Sequence, residues 1–133
     1  MKVVAITGAS SGIGRATAKY FNRRGWKVYN ISRSPSEEAG ITDIAADVTA
    51  EEEIQKAFAQ IRSESGRLDL LVNNAGFGIS GAVEYTELSD ARDQFDVNFF
   101  GTFICIKAAL PMLKDSQGRI ICMSSAAAIF AIP

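Results

Sequence analysis

The chain contains no histidine. That absence removes zinc sites of the usual kind and every mechanism in which histidine activates a serine or cysteine. Proton transfer then falls to tyrosine, lysine, aspartate, glutamate or cysteine. Cysteine is scarce too. Cys105 and Cys122 each sit in an apolar segment, so both are expected to be small buried hydrophobes. Neither sign of charge dominates, and a net charge of -1 offers no basic face for nucleic acid. No apolar run approaches the roughly 20 residues that span a bilayer. The apolar start is short and broken by glycine, unlike a secretion signal. A cytoplasmic protein with no metal, no membrane and no nucleic-acid partner is expected. There is no internal repeat and no low-complexity linker, and 133 residues suffice for one domain with a core.

What is present begins at once. The β-branched run Val3-Val4-Ala5-Ile6 leads into glycines at Gly8, Gly12 and Gly14, and an amphipathic segment follows from Arg15 to Arg24. Strand, glycine turn and helix in that order suit a nucleotide-phosphate site. The backbone must approach a pyrophosphate closely, which excludes side chains from the turn. The helix start supplies free N–H groups and a positive dipole end.

Strands and helices then alternate. The pattern predicts strands over Lys2–Thr7, Trp26–Ile31, Ile41–Val48, Leu68–Val72 and Arg119–Met123. A first helix is expected over Gly12–Arg24, closed by Gly25. Thr49 and Glu52 form a capping box for a second helix that carries Ile54, Phe58 and Ile61 and ends near Gly66. Glu51-Glu52-Glu53 suits a helix start better than a cation site. Ser32–Gly40 and Phe77–Leu88 read as loops. Ser89 is the expected N-cap of a long helix to Lys114, its last turn bent or frayed by Pro111. Phe95, Phe99 and Phe103 on that helix read as core or subunit contact. The tail Ser124–Pro133 is apolar and rich in alanine. The alternation implies right-handed crossovers and an α/β, doubly wound parallel sheet in the order 3-2-1-4-5.

Four motifs in order resemble the short-chain dehydrogenase/reductase family. They are Thr7-Gly8-Ala9-Ser10-Ser11-Gly12-Ile13-Gly14, Asn73-Asn74-Ala75-Gly76, Asn98 within the long helix, and Ser124-Ser125 after the fifth strand. The resemblance covers the whole chain and implies an NAD(P)-binding Rossmann domain over 1–133. It also implies hydride transfer between a nicotinamide cofactor and a small carbonyl or alcohol substrate, in an enzyme that is often a homo-oligomer. By resemblance, Gly8, Gly12 and Gly14 with the backbone of Ile13 hold the pyrophosphate, and Ser10 reaches the adenosine ribose region. Asp47 and Val48 flank the adenine, and Asn74, Ala75 and Gly76 form the loop beside the adenosine. Asn73 and Asn74 equally suit plain turn stabilisation. Asn98 resembles the helix-kinking asparagine that holds a relay water, and Ser125 the serine that hydrogen-bonds the substrate oxygen. An ordinary helix polar residue and an ordinary turn serine are the alternatives.

Cofactor choice turns on the end of the second strand. An acid there would bind the ribose 2′-hydroxyl of NAD. Asn30-Ile31-Ser32-Arg33-Ser34 holds no acid, and Arg33 is a planar cation suited to phosphate. NADP(H) is therefore expected over NAD(H), with a solvated turn arginine as the alternative.

The family's acid/base pair, Tyr-x-x-x-Lys, is missing. Tyr20, Tyr29 and Tyr85 are followed four positions later by Arg24, Arg33 and Ser89. Counted from Ser125, the tyrosine would fall just beyond Pro133. The resemblance thus implies the amino-terminal part of an enzyme, truncated before a sixth strand, inactive alone and with its fifth strand left as a sheet edge. A non-catalytic nucleotide-binding module is the rival. A P-loop phosphotransferase fails because no Gly-Lys-Ser/Thr follows the glycines. A methyltransferase rests on fold analogy alone.

Overall fold

The computed structural model describes residues 1–130. Five strands alternate with helices: β1 (Val3–Thr7), α1 (Gly12–Arg23), β2 (Lys27–Ser32), β3 (Ile41–Ala45), α2 (Glu51–Ser65), β4 (Leu70–Asn73), α3 (Leu88–Phe95), α4 (Thr102–Ser116) and β5 (Arg119–Cys122). All strand pairs are parallel and the order is β3-β2-β1-β4-β5, as expected from the alternation.

β1 lies at the centre and is buried on both faces, so its period-two alternation divides the core. Val4 and Ile6 join Val28, Ile41, Leu70 and Val72 beneath Ala18 of α1. Val3 and Ala5 face the other way, with Tyr29, Ile31, Ile44 and Leu71, under α2 and α4. Ile54, Ala57, Phe58 and Ile61 of α2 meet Cys105, Ala109, Met112 and Leu113 of α4 in that layer. Gly25 closes α1 in a left-handed conformation, as expected.

Several local expectations are corrected. Thr49 does not cap α2. Ala50 occupies the N-cap without a side-chain bond, because the Thr49 hydroxyl donates to Asp47 Oδ1 at 2.8 Å. The long helix starts two residues earlier than expected, with Glu87 rather than Ser89 at its N-cap. It is also three segments, α3 and α4 being joined by a π-helical turn over Asp96–Gly101. α4 holds Pro111 within it and runs to Ser116, two residues past the expected end at Lys114. Phe95, Phe99 and Phe103 are 64%, 59% and 58% exposed, so they are not core.

Leu88–Ser116 as a whole is long and apolar enough to cross a membrane by length and composition, against the expectation from run length. Seven charged residues from Asp90 to Asp115 interrupt it, and burial of Cys105, Ala109, Met112 and Leu113 gives its apolar character a use within the fold. Cys122 is exposed rather than buried, because β5 pairs with β4 alone among the described strands and all four of its residues are open to solvent. The last three residues of the expected apolar tail lie outside the described residues.

Candidate functional site

In a parallel sheet the carboxyl ends of the strands all open on one side, and the loops that leave them converge there. Here these are the glycine turn after β1, the Arg33–Ser34 turn after β2, Asp47-Val48 after β3, Asn74–Gly76 after β4 and Ser124-Ser125 after β5. A separate cleft of about 320 Å³, lined by Gly66, Arg67, Met112, Asp115 and Ser116, lies at the amino-terminal ends of β4 and β5, away from these groups.

The glycine turn is built by two effects. Gly8 and Gly12 have φ of +70° and +55°, a region that costs other residues energy. Gly14 has an ordinary backbone but no room, since a Cβ there would lie 2.4 Å from both Asn74 Nδ2 and the Gly8 carbonyl. Asn74 fills that space, and its Nδ2 donates to the carbonyls of Thr7 (3.2 Å) and Gly8 (3.1 Å). Thr7 Oγ1 accepts the N–H groups of Asn74 and Ala75, each at 3.0 Å. The turns after β1 and β4 are thereby bonded into one unit.

This unit fits an anionic ligand. No side chain caps the start of α1, so its first N–H groups are left to an incoming acceptor. A Cβ on Gly12 would meet nothing within 4 Å, so the turn is open above that glycine. Ile13 beside it is exposed, and Ser10 is half-buried.

Arg33 is exposed at the end of β2, and its charge helps hold the Asp47 carboxyl below the ordinary aspartate range. The larger causes of that shift are the Thr49 N–H at 2.9 Å and then the Thr49 hydroxyl. Val48 turns inward and is buried, its Cγ2 occupying the space where Gly101 lacks a Cβ. The segment after Arg33 is tied to α1 by Glu38, which accepts from Arg15 Nε at 2.9 Å and pairs with Lys19 at 3.4 Å.

Asn98 sits in the π-helical turn, where the ladder is already disrupted. Its side chain clamps the loop after β4. Oδ1 accepts the Phe77 N–H at 2.9 Å, and Nδ2 donates to the Phe77 carbonyl at 2.7 Å. A Cβ on Gly76 would press to 2.8 Å from Asn98 Oδ1, so Gly76 and Asn98 form one contact. Ser125 stands at the N-cap of a 3₁₀ turn over Ala126–Ala128, its Oγ accepting the Ala127 N–H at 3.1 Å. Its exposed hydroxyl keeps its own proton free to donate. β5 is brought alongside by the Met123 N–H, which donates to the Asn73 carbonyl at 2.9 Å.

Sequence reasoning missed three residues that build this site. Thr7 and Asn30 are buried polar side chains at strand ends, and Asp43 accepts from Asn30. For Thr7 the available signal was a polar residue in an otherwise apolar strand.

The profile of the short chain dehydrogenase family matches residues 2–133. The chain is 43% identical over 134 residues to 3-ketodihydrosphingosine reductase of Bacteroides thetaiotaomicron, covering 99% of this chain and 50% of that protein. It is 40% identical to the mitochondrial borneol dehydrogenase of Lavandula x intermedia, covering 95% of this chain and 52% of that one. Among solved structures it resembles ElxO with NADP bound, with a TM-score of 0.90, 32% identity and coverage of 99% and 58%. The ligand-free aldohexose dehydrogenase of Thermoplasma acidophilum gives 0.87, 38%, 93% and 49%. The chain spans about half the length of the curated relatives it matches. Its glycine turn, its Asn-Asn-Ala-Gly loop and the profile match over nearly every residue place the chain in the short chain dehydrogenase family.

Proposed function

We propose that the protein is an NADP(H)-dependent oxidoreductase acting on a small carbonyl or alcohol substrate. The observation that carries this is the uncapped start of α1 above an open glycine turn, beside a β2 end that bears Arg33 and no acid. The cofactor, when bound, supplies or accepts the hydride. Gly8, Gly12, Gly14 and the Ile13 backbone hold its pyrophosphate, with Ser10 beside the ribose. Arg33 binds the 2′-phosphate by charge-assisted hydrogen bonds. Asp47, Val48, Asn74, Ala75 and Gly76 enclose the adenosine end. Ser125 donates a hydrogen bond to the substrate oxygen. Asn98 fixes the loop at Phe77 and serves the proton path. The NADP bound to ElxO and the reductase and dehydrogenase names of the relatives support this reading.

General acid catalysis typically contributes about 100- to 10,000-fold, and none of the three tyrosines has a lysine four residues on. Tyr29 is buried and bonded to Glu64 and Ser65, and burial pushes its pKa up, so it is a core group. We therefore read the 133 residues as the amino-terminal part of such an enzyme, too incomplete to turn over by themselves. That same lack favours a second reading, a nucleotide-binding module without catalysis. The test is NADPH oxidation with a panel of aldehydes and ketones, using the 133-residue chain and the protein expressed from its complete gene. Turnover by the latter alone supports the enzyme. Turnover by neither, with cofactor bound, supports the module.

A further inference from the structure

We propose that Asn30 is a positioning residue that locks the glycine turn to the Arg33 turn, and so sets how strongly the site distinguishes a 2′-phosphorylated adenine dinucleotide from an unphosphorylated one. The inference rests on the NADP(H) reading above and assigns that preference to a residue that touches no ligand. Asn30 is 1% exposed near the end of β2. Its Oδ1 accepts the Ala9 N–H at 2.9 Å, inside the glycine turn. Its Nδ2 donates to the Ser34 carbonyl at 3.3 Å, next to Arg33, and to Asp43 Oδ1 at 2.8 Å on β3.

The same Asp43 oxygen accepts the Ser36 N–H at 2.9 Å, and the Ser32 hydroxyl donates to the Ser34 carbonyl. Both ends of the Arg33 turn are therefore held, and Asn30 is the side chain that joins them to Ala9. Asp43 and Arg33 line one cleft of about 130 Å³ with Ser32, Ser34, Pro35 and Ala45. The side-chain amide accepts from one turn at Oδ1 and donates to the other at Nδ2. A carboxylate would face Asp43, and an aliphatic side chain would leave the buried Ala9 N–H unpaired. A cofactor with a 2′-phosphate must satisfy both turns together, whereas one without it calls chiefly on the glycine turn. Loosening the link therefore penalises the phosphorylated cofactor more.

The experiment measures dissociation constants for NADPH and NADH by calorimetry, on the protein from its complete gene, with thermal unfolding to verify that each variant is folded. Asn30→Ala is expected to lower the NADPH-over-NADH preference by at least about fivefold, the scale of one lost hydrogen bond. Asp43→Ala should lower it in the same direction, and Asp43→Asn, which keeps the acceptor, should restore it. In an Arg33→Ala background, Asn30→Ala should leave the preference where Arg33→Ala put it. Equal weakening of both cofactors by Asn30→Ala overturns the inference, as does an undiminished effect without Arg33. If Asn30→Ala does not fold, an unchanged preference in Asp43→Ala overturns it. An unchanged preference in Arg33→Ala alone is a different failure, which removes the NADP(H) reading itself.

Discussion

Replacing Gly14 by alanine should cost more stability than replacing Gly12, although Gly12 has the unusual backbone. At Gly14 the added methyl would sit 2.4 Å from Asn74 Nδ2 and 2.4 Å from the Gly8 carbonyl, so both have to give way. The Asn74 side chain is the softer partner, and moving it breaks its bonds to the Thr7 and Gly8 carbonyls. Two hydrogen bonds are worth about 2 kcal/mol together, and forcing a methyl into a filled site adds about 1–3 kcal/mol. Alanine returns up to about 1 kcal/mol of helix propensity. The net loss is roughly 2–4 kcal/mol. At Gly12 the methyl meets nothing within 4 Å, leaving only the left-handed backbone cost of about 1–2 kcal/mol. Urea unfolding of both variants of the protein from its complete gene measures the difference. A Gly14→Ala protein as stable as Gly12→Ala would refute the packing of Asn74 against α1.

Arg33→Ala should weaken NADPH binding by about 1.5–3 kcal/mol and leave NADH nearly unchanged, read by fluorescence titration; equal losses for both would remove Arg33 from the 2′-phosphate. Burial pushes the Cys105 thiol up to about 12 while Cys122 is exposed, so a thiol reagent near pH 8 should modify one cysteine of this segment in the folded state and both in denaturant. Because the folded-state pKa of Cys105 is raised, its contribution to stability is complete below the ordinary thiol range and is lost as pH climbs towards that value, which a pH series of urea midpoints would register. Thr49→Val removes one of two donors to Asp47, so an NMR titration should find the Asp47 pKa moved up towards the ordinary range; its depressed value means its contribution fades as pH falls through it.

The sheet was legible because its signals are local and repeated. β-branched runs alternate with helical periods, and parallel order follows from the crossovers. The glycine turn was legible because strand, glycines and helix are contiguous in sequence. What escaped depends on contacts between distant residues. Thr49 and Glu52 have the spacing of a capping box, but Asp47 stands only two residues before Thr49 and takes its hydroxyl. Cys122 is apolar in its sequence neighbourhood, yet among the described residues β5 pairs on one edge only and all four of its residues are exposed, which no local pattern reveals. Phe95, Phe99 and Phe103 repeat at helical spacing, which marks a common face without saying which way it points. Asn30 read as an ordinary residue of the second strand, and its role is visible only when Ala9, Ser34 and Asp43 are brought around it.

The most direct measurement is a calorimetric titration of the protein from its complete gene with NADPH and with NADH. Arg33 at the end of β2, with no acid to receive a ribose hydroxyl, predicts that NADPH binds tighter by about tenfold or more, the scale of a charge-assisted contact. Tighter binding of NADH, or no binding of either, would contradict the account.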